Sequence, residues 1–129
     1  MRTIKTEIEN AMTALEIEGL TLTSRFIFSQ EFIGFQGHFP AKKILPGVCQ
    51  IQCALSTLEK GRGKSVALKE VVLAKYFSPL FPDDEVTCMV SDGGATSGEH
   101  TVKALITKNT VKIAELKLRV LIDGQGADR

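Results

Sequence analysis

Ile44-Leu45-Pro46-Gly47-Val48-Cys49-Gln50-Ile51-Gln52-Cys53-Ala54-Leu55-Ser56-Thr57-Leu58 is the longest uncharged run in the chain, and it decides the fold. Pro46 has a fixed φ suited to the first turn of a helix, where its missing N–H costs nothing. Val48, Ile51, Leu55 and Leu58 follow at helical spacing, and Gly61 fits the position just past a helix end. No charge intervenes between Lys43 and Glu59, so most of the circumference of this helix is expected to be buried. The run is too short for a bilayer, which takes about 20 apolar residues, and it holds Gln50, Gln52 and Ser56.

The sequence on both sides reads mainly as strands. Ile4, Ile8 and Met12 suggest a short leading helix, after which Leu15 and Ile17 alternate with polar residues up to Gly19. Leu20, Leu22, Phe26 and Phe28 continue the alternation, so the two stretches read as a hairpin. Residues 30–43 hold two Gly, one Pro and three Phe without a period and read as an apolar loop. Beyond the helix, Val66 to Phe77 is rich in β-branched and aromatic residues, and residues 78–84 form a Pro-rich break. Glu85 to Ser91 alternates, Asp92-Gly93-Gly94 reads as a turn, and His100–Thr107 and Val111–Ile122 are two further strands joined through Lys108-Asn109-Thr110. In the last of these, Ala114, Leu116, Leu118, Val120 and Ile122 share one face and Glu115, Lys117 and Arg119 the other, the pattern of a sheet wet on one side. Two strands, a buried helix and four more strands make an α+β domain in which an antiparallel sheet covers the helix.

Composition bounds the rest. The 129 residues suit one domain, 1–129, with 43% hydrophobic residues to build its core and a polar tail from about Asp123. Sixteen Lys plus Arg against fifteen Asp plus Glu leave a net charge of +1. The basic residues are scattered, so neither nucleic acid nor a membrane surface is an expected partner. The start turns acidic at Glu7 before any apolar run develops, which reads as neither a secretory signal nor a transit peptide and points to the cytoplasm. Cys49, Cys53 and Cys88 are odd in number and lie in apolar surroundings, as reduced core thiols do. A zinc site needs about four ligands, and His38 and His100 are the only imidazoles, so no metal site is expected.

Two segments carry a resemblance. Gly37-His38-Phe39-Pro40, then Pro46-Gly47-Val48, is similar to the active-site segment of the hotdog-fold 3-hydroxyacyl-[acyl-carrier-protein] dehydratases of fatty acid and polyene-type pathways. Tyr76-Phe77-Ser78-Pro79-Leu80-Phe81-Pro82-Asp83-Asp84 resembles that family's aromatic, Pro-rich break between strands, with Asp83 in place of a Gly. The order of elements agrees from about Ala14 to Ile122.

The resemblance implies a hotdog fold, an antiparallel sheet wrapped around one long central helix, and dehydration (or reverse hydration) of a 3-hydroxyacyl thioester. Its carrier would be acyl carrier protein or coenzyme A. His38 falls on the family's catalytic base, and imidazole suits that work because both its forms are accessible near neutrality. Gly47 falls on the residue whose N–H holds the thioester carbonyl, and Val48, Phe39 and Pro40 complete the substrate-binding set. Independently of the resemblance, a helix N-terminus stabilises an oxygen gaining negative charge, although Pro-Gly would equally serve to start a helix. No cofactor is implied, because the thioester itself acidifies the proton removed. A homodimer or higher homo-oligomer is implied, with His38 of one chain facing residue 52 of the other.

Gln52 is the departure. The family carries Glu or Asp there, to protonate the departing hydroxyl, and an amide gives up no proton. The catalytic pair is therefore His38 with Gln52 orienting the hydroxyl or a water. The competing readings are a non-catalytic acyl-thioester-binding homologue, or inactive partner of a dehydratase, and then a thioesterase. Ala41-Lys42-Lys43 replaces the usual Gly-x-Pro spacer and reads as solvated lysines in preference to a contact for an acidic carrier. His100 has no motif around it and reads as exposed. Glu31 and Glu59 are the candidates for a substitute acid.

Overall fold

The computed structural model describes residues 3–35, 43–96 and 98–123. Its elements in chain order are α1 (Ile4–Ala11), β1 (Met12–Glu18), β2 (Thr21–Ile27), a 3-10 turn (Ile33–Phe35), α2 (Gly47–Arg62), β3 (Val66–Tyr76), β4 (Glu85–Thr96), β5 (Glu99–Lys108) and β6 (Val111–Ile122). The six strands form one sheet in the order β1-β2-β4-β5-β6-β3, and every neighbouring pair is antiparallel. This is the α+β hotdog arrangement expected from the sequence, with β1 and β3 at the edges.

Period-2 alternation explains why the four inner strands hold α2. Leu22, Ser24, Phe26 and Phe28 are buried along β2 and its end, as are Val86, Cys88 and Val90 on β4, Val102, Ala104 and Ile106 on β5, and Ala114, Leu116, Leu118 and Val120 on β6. The register lines them up across the sheet: Ser24 opposes Cys88, Cys88 opposes Ile106, and Ile106 opposes Ala114. Onto this floor α2 lays Cys49, Cys53, Ala54, Leu55 and Leu58. Ser24 and Thr57 are fully buried and meet at 2.7 Å, and the Thr57 hydroxyl donates to the Cys53 carbonyl. The three cysteines are free and buried, and burial pushes the thiols of Cys49 and Cys88 up to about 11 and about 12. They remain protonated, inert core residues at neutral pH.

Several boundaries differ from the sequence reading. Pro46 is the N-cap of α2, one residue before the helix, with φ −63 and ψ 151. Gly61 lies inside the helix, and Gly63, at φ 66, ends it. Gly61 is there for proximity: a Cβ would lie 2.1 Å from the Leu22 side chain, so glycine lets the last turn of α2 approach β2. Leu20, in the β1–β2 turn, and Ile17, on the edge strand β1, are 60% and 49% exposed, and the buried set of the hairpin starts at Leu22. Asp92-Gly93-Gly94 is a bulge within β4, which runs on to Thr96. Turns and bulges draw on the same residues, so composition did not separate them.

Asp83 adopts a left-handed conformation, at φ 69, of the kind that favours glycine, and its N–H donates to the Phe28 carbonyl at 2.7 Å. A side chain in this conformation carries a cost that glycine does not. Asp83→Gly is expected to stabilise the protein by about 0.5–1 kcal/mol, read as a higher midpoint in urea unfolding.

Candidate functional site

The N-terminus of α2 is open. Pro46 supplies no side-chain cap, and the first N–H groups of a helix, here those of Gly47 and Val48, have no intrahelical acceptor. Leu45 is tied down just before it, its N–H donating to the Leu80 carbonyl at 2.8 Å, so the β3–β4 connection fixes where the helix starts. Ile44, Leu45, Gly47, Gln50, Tyr76 and Phe77 line a cleft of about 290 Å³ at this point. A larger open groove of about 620 Å³ lies between α1 and the end of β2, walled by Phe28 and Phe32. The 3-10 turn sits between the two regions, since a Cβ on Gly34 would touch both Phe32 and the Cys49 sulfur.

Tyr76 shapes the mouth. Its hydroxyl donates to the Gly47 carbonyl at 3.2 Å, and burial pushes the phenol up, which keeps that proton in place. A Cβ on Gly47 would meet the ring at 2.6 Å from Cζ and 2.7 Å from the oxygen, so glycine is required for this packing. Gly47→Ala is therefore expected to cost about 1–2 kcal/mol by displacing the ring and its hydrogen bond. In a Tyr76→Ala background the same change should cost almost nothing, and urea unfolding of the four proteins in a double-mutant cycle measures the coupling.

Of the residues singled out from the sequence, His38, Phe39 and Pro40 lie outside the described residues, as do Ala41 and Lys42. Val48, expected on the buried stripe, is 68% exposed, because the sheet lies against the Cys49–Cys53 side of the helix. Gln52 is half-buried and its Nε2 donates to the Ser56 hydroxyl at 2.9 Å. Val48, Gln52 and Ser56 stack four residues apart, so one face of α2 runs from open at Val48 to fully buried at Ser56. Glu59 is an unsuitable substitute acid: its carboxylate accepts from the Val66 N–H at 3.0 Å and pairs with Lys5 at 2.9 Å. It also stands about 18 Å along the helix from Gly47. Glu31 is exposed.

Sequence reasoning missed a second polar cluster at the other end of α2. His100 is half-buried rather than exposed, its Nδ1 3.0 Å from both carboxylate oxygens of Asp92. Asp92 is buried, receives the Gly94 N–H at 2.8 Å, and has Arg62 at 3.9 Å. The β4–β5 pairing brings these residues together, and no local signal announces it. Burial disfavours the Asp92 charge, but the His100 and Gly94 hydrogen bonds and the nearby positive charges outweigh it and hold the carboxyl below its ordinary 3.8. A carboxyl lowered in the folded state contributes stability above its unfolded pKa and loses it as pH falls through the folded one. Asp92→Asn should cost about 3 kcal/mol at pH 7, a fall in Tm on the order of 10 °C. Scanning calorimetry should show that deficit shrinking below about pH 4.

The architecture and the open helix terminus define a hotdog-fold domain with a cleft at the start of its central helix. The family model of ApeI-like proteins, described as ApeI dehydratase, matches residues 14–115. The chain belongs to this ApeI-like dehydratase family, and the match spans both motif segments, from Gly37 to Gln52 and from Tyr76 to Asp84. It is 27% identical over 124 residues to the 3-hydroxyacyl-[acyl-carrier-protein] dehydratase FabZ of Bartonella quintana, covering 90% of this chain and 75% of the relative. FabZ of Clostridium acetobutylicum is 29% identical over 127 residues, covering 90% and 82%. Among solved structures, the dehydratase heterocomplex ApeI:P from Xenorhabdus doucetiae matches with a TM-score of 0.71 at 16% identity, over 85% of this chain and 96% of that one. The PaaI protein of E. coli matches with 0.70 at 9% identity, over 92% and 88%. A hypothetical thioesterase with coenzyme A from Streptococcus pneumoniae matches with 0.67 at 10%, over 92% and 93%. At these identities the structures share the fold alone. Among the described residues no helix is long and apolar enough to cross a membrane.

Proposed function

We propose that this protein dehydrates a 3-hydroxyacyl thioester, or hydrates the corresponding 2-enoyl thioester, carried on acyl carrier protein or coenzyme A. The observation that carries this reading is the uncapped start of α2 at Gly47, opening on a cleft, in a chain whose family match runs through the Gly-His-Phe-Pro segment. In the mechanism, the thioester carbonyl accepts from the Gly47 N–H. His38 removes the proton from the adjacent carbon, and the developing enolate oxygen is held by the N–H groups and the positive end of the α2 dipole. The C3–O bond breaks and the hydroxyl leaves as water, taking up the proton that His38 removed, relayed through a water held by Gln52. Phe39, Pro40 and Val48 border the acyl thioester.

The active unit in this reading is a homodimer. β3 is an eleven-residue edge strand on which Leu68, Val71, Val72 and Leu73 are all at least 38% exposed. An apolar unpaired edge of this kind is a template for pairing with a second copy. A partner at this side would face the open Val48–Gln52 side of α2, as the family arrangement requires of His38 and residue 52. Acyl carrier protein or coenzyme A would deliver the thioester in the cytoplasm.

One observation favours a second reading, a non-catalytic acyl-thioester-binding protein or inactive partner: the Gln52 amide is engaged with Ser56, and no carboxylate replaces it nearby on α2. A thioesterase ranks third, because the same amide offers no nucleophile or base. Hydration of crotonyl and octenoyl thioesters by the natural chain, His38→Ala and Gln52→Glu separates the three. Activity in the natural chain that His38→Ala removes supports the proposal. Activity confined to Gln52→Glu supports the second reading, and thioester cleavage without hydration supports the third.

A further inference from the structure

Gln50 is out of place by the rules that shape the rest of α2. Two residues turn a helix by about 200°, so Gln50 and Gln52 point to opposite sides. Gln52 finds Ser56, on the open side. Gln50, 3% exposed, reaches the Leu45 carbonyl with Nε2 only at 3.5 Å, the outer limit of a hydrogen bond. Its Oε1 is fully buried with no hydrogen-bond partner among the described residues. Buried acceptors are seldom left unpaired, and a methionine of the same length would fill this space without carrying one.

The same side chain lines the cleft at the helix N-terminus, whose other walls, Ile44, Leu45, Phe77 and Pro79, are apolar apart from the Tyr76 hydroxyl and Ser78. A cleft of about 290 Å³ holds the reacting end of a ligand and not a long chain. Two complementary features therefore stand side by side: helix N–H groups that seek an acceptor, and one turn further in, an amide oxygen that seeks a donor.

We infer that Gln50 is a substrate-binding, specificity-determining residue whose Oε1 accepts a hydrogen bond from an O–H or N–H of the acyl thioester while its carbonyl meets the Gly47 N–H. This rests on the dehydratase reading and deepens it. A 3-hydroxyacyl thioester carries two such donors near its carbonyl, the 3-hydroxyl and the first amide N–H of the thiol arm. An acceptor here selects for polar-headed thioesters over plain acyl chains, since a site built to pair a hydroxyl or amide rejects the analogue lacking it.

Three probes and two variants test this. The probes are 3-hydroxyoctanoyl-N-acetylcysteamine, 2-octenoyl-N-acetylcysteamine and the S-ethyl thioester of 3-hydroxyoctanoic acid. They carry both donors, the amide only and the hydroxyl only. Binding to the full chain is measured by calorimetry, with KM and kcat where turnover is seen. Gln50→Met should weaken the first probe about tenfold or more, raising KM more than it lowers kcat. Gln50→Glu, which keeps an acceptor, should restore most of the loss. The Tm of Gln50→Met should hold or rise, because the unpaired oxygen is gone. Weakening of the S-ethyl probe but not the enoyl probe assigns the donor to the hydroxyl, and the reverse assigns it to the amide; either supports the inference. Unchanged binding of all three to Gln50→Met overturns it and leaves the dehydratase reading intact, as does a sharp fall in Tm with all three probes weakened alike. Failure of the natural chain to bind any probe overturns both.

Discussion

Changing His38 to Ala lowers hydration of a 2-enoyl thioester by about 10³-fold, with KM nearly unchanged, measured as loss of enoyl absorbance in the ultraviolet. The size follows from the role. A general base adds about 10²–10⁴-fold, and methyl replaces imidazole without a substitute within the proposed site. KM is spared because the groups proposed to bind the thioester, the Gly47 N–H and the cleft walls, belong to α2 and to the end of β3. The pH profile of the natural chain should rise on its acid side as the imidazole loses its proton, and this limb should be missing in the variant. A fall of less than about tenfold would remove His38 from the chemistry and the proposal with it.

Gln52→Glu is expected to raise the same rate by about 10²-fold, an increase where most substitutions in a site bring losses. Gln52 occupies the position at which the resembling dehydratases carry a carboxyl, and the two side chains are the same length. The local structure is prepared for the exchange: Ser56, now the acceptor of the amide, has a hydroxyl that can donate to a carboxylate in its place. Half-burial of residue 52 favours the protonated acid needed to release hydroxide as water. The variant should gain an alkaline limb in its dehydration profile, absent from the natural chain. No gain, with the fold intact, would show that the amide is the functional group here rather than the remnant of an acid.

Reading the chain in one dimension reached the framework and missed specific partnerships. The alternation at Leu22, Phe26 and Phe28, and at Ala114, Leu116, Leu118 and Val120, named the buried faces of β2 and β6 directly, because a strand with one dry face must repeat every two residues. The helix was equally visible, yet its lining was not. Val48 fits the apolar period and is 68% exposed, while Gln50 breaks it and is buried. Periodicity reports that a helix has a dry side; the position of the sheet chooses which residues occupy it. His100 next to Asp92 belongs to the same class, since residues eight apart in sequence meet only through the bulged pairing of β4 with β5.

The sequence by itself determined the class, an antiparallel sheet on a central helix, and the family, because both rest on short-range pattern and on motifs contiguous in the chain. Tertiary structure alone decided that Tyr76 covers Gly47, that Gln50 lines the cleft with its buried Oε1 unpaired among the described residues, and that Asp92 gathers His100 and Arg62. Each of these joins separate elements. The free energy of such a contact depends on distances and burial fixed only when the elements pack, which no local run of residues encodes.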